Sequence, residues 1–173
     1  LRRDDRTHLG VSRLQDAMTM TMTRTLRITK AHAYGNDFLF AHRDDLRGGD
    51  AATAARALCA RHTGIGGDGL ILYSFTPEGA TMRLINADGS PSELSGNGLR
   101  CLAALAIRDR ERRGGRPQGV STEVVAQTDA GERRLSLTSR ADDRYMFTAA
   151  MGQPADLRQE TLEVAGESLL VAT

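Results

Sequence analysis

"NADGSPSELSGNGLRCLAAL" (Asn86–Leu105) decides the fold, because it joins a turn, a glycine-rich bend and the start of an apolar helix. Asp88-Gly89 signals the turn. The loop runs on to Ser95, and "NGLRCLAALAIRDRERR" (Asn97–Arg113) reads as a helix stopped by Gly114-Gly115. Its first half is apolar nearly all round, the pattern of a buried central helix. Its tail sets Arg108, Arg110, Arg112 and Arg113 beside Asp109 and Glu111, the pattern of a solvated end. A helix N terminus carries orphan N–H groups and the positive end of the dipole. Small residues ahead of it, here Ser95 and Gly96, let a carboxylate or phosphate approach the backbone. Ser95 is equally suited to be an ordinary N-cap. Both readings stay open at this point.

Upstream, "LRITKAHA" alternates Leu26, Ile28 and Lys30 and predicts a strand. "YGND" (Tyr34–Asp37) predicts a turn and "FLFAHR" (Phe38–Arg43) a second strand. Asp50 can cap the helix "AATAARALCARH", which turns Ala54, Leu58 and Cys59 to one face. "TGIGGDG" (Thr63–Gly69) is a glycine bend leading into the strand "LILYSF" (Leu70–Phe75). "TPEG" returns the chain as "ATMRLIN" (Ala80–Asn86), predicting a hairpin. Beyond the helix, "STEVVAQT", "RRLSLTS" and "RYMFTAAM" read as three short strands and "LEVAGESLLVAT" as one more. The pattern predicts an α+β fold, a mostly antiparallel sheet curled around one buried helix.

The chain has 173 residues, 40% hydrophobic and 26% charged, enough for a core without disulfides or metal. A net charge of +1 creates no field for nucleic acid or an anionic membrane. No stretch approaches the roughly 18 consecutive apolar residues of a membrane helix. Two unpaired cysteines in apolar helical stretches, Cys59 and Cys101, fit a reduced, intracellular chain. Residues 1–23 lack the apolar run of a signal peptide, and Asp4, Asp5 and Asp16 argue against a transit peptide. They read as a poorly ordered leader, with Met18, Met20 and Met22 as candidate starts. A pyridoxal-phosphate enzyme needs a Schiff-base lysine, and Lys30 is the single lysine available.

Gly64–Gly69 matches G-x-G-x-x-G in letters, but that fingerprint works where a strand opens into a helix. Here a helix precedes the glycines and a strand follows. The histidines show no metal-ligand spacing. Ser95 with His32 or His62 would make a hydrolase of the Ser-His-carboxylate kind, although "ELSGNG" is no G-x-S-x-G elbow.

Four stretches in order carry a family likeness: "YGNDF" (Tyr34–Phe38), "RHTGIGGDGLI" (Arg61–Ile71), "NADGS" (Asn86–Ser90) and "SGNGLRC" (Ser95–Cys101). Together they resemble the N-terminal half of diaminopimelate epimerase. The resemblance implies a cofactor-independent enzyme that interconverts LL- and meso-diaminopimelate in lysine and peptidoglycan-precursor biosynthesis, in the cytoplasm. It implies two similar domains, each with a central helix wrapped by sheet, and a small-molecule substrate in the cleft between them. Neither nucleic acid nor a membrane is a partner in this picture, and a homodimer is left open. One cysteine at the N terminus of each central helix acts on its own face of the α-carbon. Residue by residue, Asn36, Asn86 and the Gly96-Asn97 pair fall at substrate-binding positions. Gly69 falls at another, where it offers only backbone.

Two departures accompany the resemblance. The first catalytic cysteine falls at Ser95, and a hydroxyl is a far weaker acid than a thiol. The wider proline-racemase-like superfamily includes members with serine at one of the paired positions. Cys101, six residues on, lies more than a turn deeper in the helix and cannot stand in for Ser95. The sequence also stops before a second domain. The expected layout is a leader over 1–23, an N-terminal epimerase-like domain over 24–150, and over 151–173 the start of a crossover to a missing C-terminal domain. A non-catalytic half-domain that binds a carboxylate or pairs with another chain is the alternative.

Overall fold

The computed structural model describes residues 25–114, 122–152 and 157–172. The expected leader over 1–23 lies outside them. Strands β1 (Ile28–Ala33) and β2 (Asn36–His42) form an antiparallel hairpin with Ala33 opposite Asn36. Its turn is only Tyr34 and Gly35, at φ +48° and +90°. Two left-handed residues give the twist that a tight hairpin requires. The turn is therefore shorter than the sequence suggests, and Asn36 and Asp37 belong to β2.

Asp50 caps α1 (Ala51–Cys59) by accepting the N–H of Ala52 and of Thr53. At the other end the glycine run folds back over the last turn. Ile65 and Gly66 donate to the Leu58 carbonyl and Gly67 to that of Cys59. Gly66 sits at φ +81°, and a Cβ on Gly64 would lie 2.2 Å from the Ala57 carbonyl oxygen. These glycines thus close a helix C terminus, whereas a dinucleotide site needs a helix N terminus. Gly64→Ala is expected to destabilise the chain by about 1–3 kcal/mol through overpacking. Urea unfolding checks this, and an unchanged midpoint would contradict the packing.

The chain continues into β3 (Gly69–Phe75), parallel to β2, and the expected hairpin with β4 (Gly79–Asn86) is present. A two-residue strand, β5 (Pro91–Ser92), lies against β4. Next comes α2 (Gly96–Arg112), then β6 (Glu123–Thr128) parallel to β4, and the antiparallel strands β7 (Gly131–Ala141) and β8 (Arg144–Ala150). The sheet order is β1-β2-β3-β4-β6-β7-β8, with β5 on β4. The fold is α+β, a curled mixed sheet with two α-helices among the described residues. Its parallel joins, β2–β3 and β4–β6, occur where a helix makes the crossover. Parallel neighbours cannot be linked by a tight turn.

The core divides by the alternation of β2. Phe38 and Phe40 face α2, packing with Ile71, Met82, Leu99 and Leu102. Leu39 and Ala41 face α1, with Leu70, Leu72 and Cys59. So α1 covers one face of the sheet and α2 the other. Helix α2 packs on β1, β2, β4, β6 and β8, strands from both ends of the order, so the sheet wraps it.

The stretch read as one last strand is a hairpin. Ala165 and Gly166, at φ +52° and +84°, divide it into β9 (Gln159–Val164) and β10 (Glu167–Ala172). These strands pair only with each other among the described residues. They leave Leu162, Val164, Leu169 and Leu170 exposed. No described helix is long and apolar enough to cross a membrane.

Candidate active site

Sheet topology collects the singled-out residues at one end of the molecule. Parallel β2 and β3 begin there, at Asn36 and Gly69, and antiparallel β4 ends there, at Asn86. The loop after β4 then brings Ser95 and Gly96 to the start of α2. Each of these residues therefore stands at an element terminus, where backbone groups and side chains are least committed to the core.

Ser95 is the N-cap of α2, in extended conformation at φ −138° and ψ 118°, and its Oγ accepts from Gly98 N–H at 3.1 Å. The cap reading of Ser95 is thus realised. It leaves the hydroxyl proton without an acceptor among the described residues. The N–H groups of Gly96 and Asn97 likewise meet no protein acceptor there. Gly98 allows the close start, since a Cβ on it would lie 2.9 Å from Ile71 Cδ1. Arg100 folds back so that Nη1 donates to the Gly96 carbonyl at 2.9 Å, with its guanidinium 5.8 Å from the exposed Tyr34 ring centroid.

Asn97 joins α2 to the sheet. Its Nδ2 donates to Asn36 Oδ1 at 2.8 Å, and Asn36 Nδ2 donates to Asp68 Oδ2 at 3.2 Å. Asp68 also accepts the Asp37 N–H at 2.9 Å and Arg61 Nη2 at 2.7 Å. Arg61 reaches on to Asp37, which pairs with Lys30 at 3.1 Å. Burial by itself would push the Asp68 carboxyl up. The donors from Asp37, Asn36 and Arg61 outweigh it and hold the group below its ordinary value of 3.8. A depressed folded-state value means that this stabilisation is complete above pH 3.8 and is lost as pH falls through the lower folded value.

Asn86 shares this end of the sheet but turns inward on its own loop. Its Nδ2 donates to Ser90 Oγ at 3.0 Å, and Asp88 fixes Ser90 from the other side. The structure therefore joins Asn36 to Asn97 directly and shows no such bond to Asn86. Gly69 is buried, and a Cβ there would lie 2.9 Å from the Ile85 carbonyl oxygen. Cys101 points into the core at 5% exposure, and burial pushes its thiol up to about 11. It has no place in the chemistry at the helix mouth. Among the described residues no group of three or more His, Cys, Asp or Glu could hold a metal.

Asp68 and Arg61 are the residues that motif reading passed over. Both stand inside "RHTGIGGDG", where the glycines draw attention. No local signal singles Asp68 out, because two of its donors come from β2, 31 and 32 positions away.

The same fold is seen in a solved hydroxyproline epimerase from Agrobacterium vitis. The TM-score is 0.54 at 17% identity, over 87% of this chain and 49% of that one. The family model for diaminopimelate epimerase matches residues 28–155. The class is therefore that of proteins related to the diaminopimelate epimerases. A diaminopimelate epimerase of Halothermothrix orenii is 36% identical over 135 residues, 75% of this chain and 44% of that protein. One of Desulfitobacterium hafniense is 37% identical over 147 residues, 80% and 48% of the two chains. The chain belongs to the diaminopimelate epimerase family, and it spans a little under half the length of these relatives.

Proposed function

We propose that this chain is the N-terminal half of a cofactor-independent diaminopimelate epimerase acting in lysine and peptidoglycan-precursor biosynthesis in the cytoplasm. The observation that carries the reading is the mouth of α2. There the Ser95 hydroxyl stands at the start of a helix whose first two N–H groups meet no acceptor among the described residues, beside the Asn97–Asn36 pair. A substrate α-carboxylate suits those N–H groups and the helix dipole. The same groups stabilise negative charge as the α-proton leaves. Ser95 then serves one face of the α-carbon by giving or relaying a proton. The other face needs a group from the second half of the enzyme. Asn86 and Gly69 complete the substrate-facing end of the sheet in this reading.

The alternative is a half-domain that binds a carboxylate, or pairs with another chain, without catalysis. The hydrogen bond that makes Ser95 a helix cap favours it. A serine hydrolase has less support, because no described histidine hydrogen-bonds Ser95.

The test is α-proton exchange from diaminopimelate in deuterated water. This chain alone should give none. The chain completed with the second half of a relative should exchange and invert. Inversion by the present chain alone would overturn the two-half mechanism. A completed chain that binds diaminopimelate but never exchanges would favour the binding half-domain.

A further inference from the structure

The amides of Asn36 and Asn97 could each be turned either way, since a primary amide carries a donor group at one corner and an acceptor at the other. What fixes them lies at the end of their chain of hydrogen bonds. Asp68 is a carboxylate, and an ionised carboxylate only accepts. It must therefore face the NH2 group of Asn36, 3.2 Å away. That leaves Asn36 Oδ1 to accept from Asn97 Nδ2 at 2.8 Å. Asn97 Oδ1 is then the end of the relay and meets no donor among the described residues. Asp68 is itself held by Arg61 at 2.7 Å and by the Asp37 N–H at 2.9 Å. Its own backbone N–H donates to the Asp37 carbonyl at 2.7 Å, and its carbonyl accepts from Ala87 N–H at 3.0 Å. The carboxylate is thus anchored on β2 and on the turn after β4, and it is directional.

We infer that Asp68 is a positioning residue that sets the polarity of the Asn36–Asn97 amide pair, and so decides which corner of Asn97 is left for a ligand at the mouth of α2. This deepens the reading of that mouth as a substrate site and rests on it only for the importance of the two asparagines. A purely structural Asp68 would tie strands together without transmitting anything to Asn97, which it does not touch.

The experiment uses the 173-residue chain and needs no turnover. Solvent exchange of the side-chain NH2 protons of Asn36 and Asn97 is measured by NMR, with backbone amide dispersion as the check on folding. In Asp68→Asn the acceptor-only end is gone and the amides can reverse. Protection of the Asn97 NH2 should fall by about fivefold, the worth of one ordinary net hydrogen bond. In the double variant Asp68→Asn, Asn36→Asp the carboxylate moves one place along the chain and can still accept from Asn97. Protection there should return. Unchanged Asn97 protection in a folded Asp68→Asn chain would overturn the inference, as would failure of the double variant to restore it. If the single variant does not fold, the double variant is compared with Asn36→Ala. Protection kept in the first and lost in the second supports the relay. Protection kept in both, or lost in both, overturns it. Activity of the completed enzyme enters none of these outcomes, so failure here leaves the epimerase reading to its own assay.

Discussion

Ser95→Cys, made in the chain completed with a relative's second half, should raise the rate of α-proton exchange by about 10²–10⁴-fold, the range of a well-placed acid–base group. The position is already prepared for an anion. Ser95 caps α2, where the helix dipole and two N–H groups without an acceptor among the described residues favour negative charge. A thiol, with an ordinary value near 8.5, can be drawn toward neutrality by such surroundings. A hydroxyl remains protonated there and can only relay. The gain should fall on the exchange step, so a kinetic isotope effect on the α-proton should change along with the rate. If Ser95→Cys gave no increase, with substrate still bound, proton transfer on this face would not be what limits the enzyme.

Leu102→Ala should destabilise the chain by about 2–5 kcal/mol, the usual cost of a large cavity in a close-packed core. Leu102 is fully buried on α2, in a cluster with Phe40, Ile71, Val124, Leu135 and Phe147. Those partners come from β2, β3, β6, β7 and β8, so one truncation loosens the helix from most of the curled sheet. Domains of this size are typically stable by only about 5–15 kcal/mol, and a loss of this order is easily read by chemical denaturation. A cost below about 1 kcal/mol would mean that α2 does not sit at the centre of the fold.

Much of this arrangement was legible in the residues. Asp50 announced the start of α1, and the glycine run announced its end. The all-round apolar pattern after Gly98 announced a buried helix. Local rules succeeded there because caps and apolar patterning are local. They failed where pairing is decided at a distance. Nothing near Phe38 or Gly69 says that β2 and β3 run parallel; that follows from α1 carrying the chain back across the sheet. The short turn at Tyr34-Gly35 was missed because a tyrosine at positive φ is unusual. Ala165-Gly166 hid the last hairpin for the same reason.

At the site, Ser95, Gly96 and Asn97 could be placed from the motif at the helix start. Asn36 could be named as well, but its bond to Asn97 spans 61 positions in sequence. Asp68 is legible only in three dimensions, because its donors come from Asn36, Asp37 and Arg61. Asn86 shows the opposite case. Its motif drew attention, yet its amide serves the turn that contains it.

In the proposed mechanism Ser95 serves one face of the α-carbon and a group from a second domain serves the other. The measurement that tests it most directly is deuterium incorporation by the completed chain carrying Ser95→Ala, begun separately from LL- and from meso-diaminopimelate. Inversion should be lost. Exchange should vanish for the isomer whose α-proton faces residue 95 and persist for the isomer whose proton faces the other half. Undiminished exchange and inversion from both starting isomers would contradict the claim and leave Ser95 as a helix cap alone.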